Sequence, residues 1–299
     1  MPDFTPFADH LRQLDRSENT IAGYLNNLAS FSRWFKTSNG EELSPNNITP
    51  IDLREYRQYL LAISGKSAAT FNRHLAAIRS YTNWGVHSGL LAYNPIQGIK
   101  GVKTTSKQNV RWLNRKEQLV LLRKAEEALL IAKTEPSRRM AIRDQSILIL
   151  MLNTGLRLEE VTELKMDDID LSERKGSLLV RKGKGLRSRT VPLNHDARQA
   201  VLSWYSFRQD GEYNEVFLSS HGKPLARRSI QHIFERFAKA THLEFSPHTL
   251  RHTFAKNLID SGVGIEKVAM LLGHSSIETT RIYTTPSSQD LVKAVEGIL

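Results

Sequence analysis

The sequence predicts a mainly α-helical chain with a small antiparallel sheet, an α+β arrangement in two domains. Three observations carry that expectation. Apolar residues recur at helical spacing through most of the 299 residues. Strand-like runs are confined to Asp168–Leu171, Ser177–Val180 and Arg189–Pro192, with no βαβ alternation. Charge also divides the chain: residues 1–98 hold 9 Lys and Arg against 8 Asp and Glu, whereas residues 99–299 hold 33 against 23.

Residues 1–98 read as a four-helix domain. Phe4–Leu14 forms the first helix, and the second follows Ser17 with Ile21, Tyr24, Leu28, Phe31 and Phe35 on one stripe. The third starts at Thr49-Pro50, where a capping hydroxyl precedes a proline whose missing N–H costs nothing, and Asp52 lies in its first turn. The fourth follows Ser67, carries Phe71, Leu75, Ile78, Tyr81 and Trp84, and ends before Gly89; Asn94-Pro95 closes the unit. Helical spacing accounts for the aromatic stripe as core. Residues 99–110, with Lys100, Lys103 and Lys107 and no apolar periodicity, read as a basic linker.

The second domain, 111–299, opens with Asn114 as a cap and Glu117 in capping-box position, on a helix reaching Ala132. The next helix, Arg139–Leu152, holds the most apolar run and stops at Asn153-Thr154-Gly155; a short one covers Leu158–Leu164. After the three strand-like runs, helices resume beyond Asn194 and over Ala226–Ala240. Three further segments follow: Pro247–Asp260 behind the Ser246 cap, Ile265–Leu272 ending at Gly273, and a last one after Ser275-Ser276 that carries Thr279 to Tyr283. The tail, 287–299, has an apolar stripe of Leu291, Val292, Val295, Ile298 and Leu299.

Composition narrows the class. The chain has no cysteine, so disulfides, iron–sulfur clusters and thiolate metal sites are excluded and a cytoplasmic setting is expected. Ile147–Leu152 is far too short to span a bilayer, and the N-terminus shows no basic-then-apolar signal, so no membrane partner is expected. A net charge of +11, concentrated after residue 98, favours a polyanion such as nucleic acid.

The chemistry gathers in PHTLRHTFAKNLIDSGVGIEKVAMLLGHSSIETTRIY, Pro247 to Tyr283. His248 and Arg251 share a helix face, His274 follows a helix-terminating glycine, and Tyr283 lies nine residues beyond. A guanidinium, two imidazoles and a phenol brought together suit a small anion; no carboxylate pair, thiol or nucleotide-binding loop is present. His248 and His252 stand four apart, a spacing that chelates zinc, but no Glu follows the first His and Arg251 between them repels a cation. No metal is expected, and His252 reads as structural.

This stretch resembles the active-site region of the tyrosine recombinases, the phage integrase and Xer-like family, whose H-x-x-R, L-G-H and nucleophilic Tyr pattern is met at His248, Arg251, Leu272-Gly273-His274 and Tyr283. Thr154-Gly155-Leu156-Arg157 with Glu160 three residues on is similar to the family's first arginine motif, and Gly183-Lys184-Gly185 with Arg187 and Arg189 before Val191-Pro192-Leu193 to its basic hairpin. The likeness runs from about Glu18 to the end and is densest after Leu152. It implies a site-specific DNA recombinase in which Arg157 and Arg251 neutralise a phosphodiester and Tyr283 attacks it to give a 3′-phosphotyrosyl link. Lys184, with Lys182 as competitor, would protonate the leaving oxygen. His248 would handle the tyrosine proton or hold the phosphate, His274 would donate to the phosphate, and Glu160 would orient its neighbours. Because bond energy is kept in the covalent link, no ATP, metal or other cofactor is implied.

The resemblance further implies a core-binding role for the N-terminal domain, with Arg54, Arg73, Arg79, Lys100, Lys103, Lys182, Arg187 and Arg189 as DNA contacts. The expected partners are double-stranded DNA with inverted-repeat core sites, three more copies of the chain joined through the 287–299 helix, and accessory proteins, in a nucleoid setting. The first helix begins almost at once, which tilts the expectation toward Xer-like recombinases or transposon and plasmid resolvases. Three rival readings stand beside this one: a type IB topoisomerase with similar residues, a non-catalytic DNA-binding protein, and a metallohydrolase on His248 and His252.

Overall fold

The computed structural model describes residues 2–103, 110–172, 174–181, 188–209, 211–274 and 276–284. The chain divides into two compact units, Met1–Lys107 and Gln108–Leu299. Among the described residues no helix is long and apolar enough to cross a membrane.

The first unit contains α1 (Thr5–Gln13), α2 (Glu18–Asn39), α3 (Pro50–Gln58), which runs on into a π turn at Tyr59–Ile63, and α4 (Ala68–His87). The expected caps are in place: the Ser17 hydroxyl accepts from the Thr20 N–H and the Ser67 hydroxyl from the Thr70 N–H, each satisfying a donor that the helix cannot. At the head of α3, Asp52 accepts from the Thr49 N–H at 2.7 Å and the Asn39 amide at 2.8 Å, tying α2 to α3. Phe7, Phe31, Phe35, Tyr56, Phe71 and Tyr81 form the buried centre. Each such side chain is worth about 1.5–3 kcal/mol of burial.

The first residues of the expected 99–110 linker lie against the first unit. Ile99 and Val102 pack against this core, and Asn72 clasps the Val102 backbone through both its amide and its carbonyl oxygen. Two partly buried apolar residues outside any helix have no periodicity, so the sequence pattern misses them.

The second unit is built on α6 (Glu135–Thr154), which starts a turn earlier than expected because Thr134 rather than a later residue caps it. Around it lie α5 (Arg115–Ile131), α7 (Leu158–Thr162), α8 (His195–Tyr205), α9 (Arg227–Thr241), α10 (Pro247–Asp260), α11 (Ile265–Leu272) and α12 (Glu278–Arg281). Ile147, Leu148, Leu150 and Met151 of α6 are fully enclosed, so the C-terminal half of that helix is apolar on nearly every side. The sheet is antiparallel in the order β1 (Ile169–Leu171), β2 (Gly176–Val180), β3 (Arg189–Pro192), with Leu178 opposite both Ile169 and Val191. This register brings Arg189 opposite Val180, the last residue of β2. Tyr283 falls in the turn after α12, which is shorter than expected, and its backbone N–H bonds to the Thr280 carbonyl.

Candidate active site

Two helix ends make the frame. α6 stops at Gly155 and α11 at Gly273, both left-handed with φ of 63° and 66°. A β-carbon on Gly155 would stand 2.4 Å from a ring carbon of Phe254 and 2.9 Å from Leu272, so this turn needs glycine for space as well as for backbone freedom. Gly155→Ala is expected to lower stability by about 2–4 kcal/mol, through overpacking added to the strained backbone. A melting temperature equal to wild type would contradict that close approach.

A helix that ends this way leaves carbonyls without intrahelical donors, and arginines take them. Arg251, on α10 and 5% exposed, donates to the Gly155 carbonyl and to the Leu272 carbonyl, both at 2.7 Å. Arg157 donates to the Gly273 carbonyl at 3.2 Å and Arg189 to the Leu271 carbonyl at 2.8 Å. Three successive carbonyls, Leu271 to Gly273, therefore hold three guanidiniums, with the negative end of α11 favouring all of them. Burial first, then the charges of Arg157 and Arg189, lower Arg251 to about 10, so it stays protonated at neutral pH. Arg251 and Arg157 each spend two of five N–H donors on these contacts and on Glu160, which leaves donors for an anion.

Glu160 binds the cluster from below. It accepts from the Arg157 backbone N–H at 2.7 Å and from the Arg157 guanidinium at 2.9 Å. Both of its oxygens also receive the Arg189 fork at 2.8 Å. Burial alone would raise this carboxyl; the Arg189 fork and the Arg157 N–H outweigh it and hold it at about 2, against an ordinary 4.5. Because the folded value is depressed, the stabilisation is complete above the unfolded value and is lost as pH falls from about 4.5 toward about 2, a contribution of about 3 kcal/mol. Wild type is expected to lose more melting temperature than Glu160→Gln on going from about pH 6 to about pH 3. Equal losses would show that other carboxylates govern the acid limb.

The histidines divide. His248 is exposed on the outer turn of α10. His274 is half-buried, and its Nδ1 meets the hydroxyl of the fully buried Thr280 at 2.8 Å. Burial first, then Arg251, Arg157 and Arg189, push His274 down to about 4, so at neutral pH it has one N–H to give. If the Thr280 hydroxyl donates to Nδ1, that N–H is on Nε2. His252, read from the sequence as structural, meets the Tyr283 hydroxyl at 2.5 Å through Nδ1. Tyr283 itself is 2% exposed, packed with Phe254, Val268 and Leu272, and burial raises its phenol. Among the described residues no three His, Cys, Asp or Glu side chains gather as a metal set.

Other expected residues scatter. Lys182, Lys184 and Arg187 lie outside the described residues, as do Lys107 and the 287–299 tail. Arg189, expected as a DNA contact, has a side chain only 11% exposed and turned onto Glu160 and Leu271; its place on the short edge strand beside α11 directs it inward. Arg54, Arg73, Arg79, Lys100 and Lys103 are exposed on the first unit. Arg73 and Arg79, six apart on α4, point about 120° apart. Arg79 donates to the Ile99 carbonyl at 2.5 Å and lines a cleft with Lys100, whereas Arg73 donates to Thr70.

Residues 120–290 match the phage integrase family, and residues 4–89 match the phage integrase N-terminal SAM-like domain. The chain belongs to the phage integrase family. Curated relatives of this integrase-family chain include the tyrosine recombinase XerC of Alcanivorax borkumensis, 31% identical over 97% of this chain and 91% of the relative. The tyrosine recombinase XerD of Listeria monocytogenes serotype 4b is 32% identical over 90% of this chain and 88% of its own length. The fold is shared with the XerH site-specific recombinase solved in a post-cleavage complex with palindromic difH (TM-score 0.74, 24% identity, 92% of this chain and 78% of that one). It is shared too with a lambda integrase dimer on a core site (TM-score 0.69, 18% identity, 95% and 94% covered). The chain is thus a tyrosine recombinase, an enzyme of site-specific recombination.

For this tyrosine recombinase, sequence reasoning picked out Arg157, Arg251 and Glu160, which the fold brings together. It missed the inward turn of Arg189 and the partnerships of Thr280 and His252. Thr280 had no signal beyond lying three residues before Tyr283. His252 had one, its place on the face that also carries His248, but that spacing pointed to metal.

Proposed function

We propose that Arg157, Arg251 and His274 bind the non-bridging oxygens of one DNA phosphodiester and that Tyr283 attacks its phosphorus. The new bond joins phosphorus to the tyrosine oxygen, and the bond from phosphorus to the 5′-oxygen breaks. The Tyr283 proton leaves by way of His248, and Lys184, or Lys182 in its place, protonates the departing 5′-oxygen. A 5′-hydroxyl from a partner duplex then attacks the 3′-phosphotyrosyl link and restores Tyr283. One diester bond is exchanged for another at each step, so nothing in the balance calls for ATP or a metal.

The observation that best supports this reading is the seating of Arg251, Arg157 and Arg189 on the consecutive carbonyls of Leu272, Gly273 and Leu271. Fixed guanidiniums meet charge developing on phosphate without reorganising, and the forked geometry suits two oxygens at once. Tyr283 hangs from the same segment, nine residues past His274. The relatives favour an Xer-like role on inverted-repeat core sites of double-stranded DNA, and four copies joined through the 287–299 tail would place two duplexes for exchange. Accessory proteins and a nucleoid setting belong to the same reading.

The test is attachment. Incubated with a nicked duplex that carries a candidate inverted-repeat core site, the protein is expected to become covalently bound to the 3′ end at the cut. Digestion and mass analysis should place the adduct on Tyr283. An adduct on another residue, or none on any site the protein binds, would overturn the proposal.

A further inference from the structure

Arg251 and His252 are neighbours on α10, so one helix presents a phosphate-binding guanidinium and, about 100° around, the partner of the Tyr283 hydroxyl. The two rings stand with centroids 5.5 Å apart at 50°, a tilted arrangement in which the edge of the imidazole meets the hydroxyl. A phenol this deeply buried is protonated at neutral pH and needs an acceptor for its O–H, because an unpaired buried donor costs about 1–3 kcal/mol. Neutral His252 supplies that acceptor at Nδ1 as the Nε2–H tautomer; burial, then His248 and Arg251, keep the ring uncharged down to about 4. So weak a base does not hold the phenolic proton once it has left. It can, however, fix the direction of the O–H bond, and with it the direction of the oxygen lone pairs.

We propose that His252 is a positioning residue for the nucleophile, taking the Tyr283 hydrogen bond at Nδ1 and so turning the phenolic lone pairs toward the phosphorus held by Arg251. This rests on Tyr283 being the attacking group. It separates two histidines one helical turn apart: His252, half-buried, holds the O–H and aims the oxygen until attack, and His248, exposed, takes the proton as the bond to phosphorus forms.

Substitutions at this one position discriminate. Asn carries its carbonyl oxygen on Cγ, where His carries Nδ1, and so can replace the acceptor; Gln carries its oxygen one bond farther out, and Leu has none. Single-turnover covalent attachment to the nicked duplex is expected to slow about 100-fold in His252→Leu and His252→Gln. In His252→Asn it is expected to stay within about 10-fold of wild type. DNA affinity by gel shift should be unchanged in all three. Wild-type rates in His252→Leu or His252→Gln would overturn the proposal, as would His252→Asn being no faster than His252→Gln. Should His252→Leu fail to fold, the Asn and Gln pair still decides. A wild-type adduct on a residue other than Tyr283 would fall on the nucleophile assignment instead.

Discussion

Tyr283→Phe is expected to bind DNA as wild type does and to form at least about 10⁴-fold less covalent complex. The change removes one oxygen and keeps the ring, so the packing against Phe254, Val268 and Leu272 survives. The stability cost is the single hydrogen bond to His252, about 1 kcal/mol, which a melting curve would register as a small shift. The chemical cost has no such limit, because without the phenol no atom is placed to form the bond to phosphorus. Denaturing gels of the nicked-duplex reaction measure it directly. A residual adduct in Tyr283→Phe above that level would mean that another nucleophile acts.

Arg251→Lys is expected to slow covalent attachment by about 10³-fold although the charge is kept. Arg251 reaches the Gly155 and Leu272 carbonyls together, each at 2.7 Å, with a planar fork that an ammonium on a flexible stem cannot reproduce. One carbonyl would be left without a donor in a site 5% exposed, at a cost of about 1–3 kcal/mol in stability. Two readouts therefore move together, attachment rate and melting temperature. A lysine variant that attached at the wild-type rate would show that charge alone suffices and that the fork has no part.

Much of the architecture is legible without coordinates because the signals are local. The caps at Ser17, Thr49, Ser67 and Asn114 and the glycine stops at Gly155 and Gly273 satisfy or release backbone groups within a turn of themselves, so they mark helix ends wherever the chain goes. Ile99 and Val102 escape notice for the opposite reason, since irregular chain that packs on a core has no period to detect. Arg189 is misplaced by the same limit: a hairpin arginine looks solvated until the strand is seen to lie beside α11 and over Glu160.

Taken alone, the amino-acid order determined the helical class and the minor sheet, and its family resemblance set the expectation that Arg157, Glu160, His248, Arg251, His274 and Tyr283 act together. Tertiary structure decided which of them touch. Arg157 and Gly273 are joined across 116 residues, Arg251 and Gly155 across 96, and His252 rather than His248 meets Tyr283. Backbone periodicity and capping act over a few residues, whereas the direction of a guanidinium or a phenol is set by whichever distant carbonyl or ring packing brings within about 3 Å.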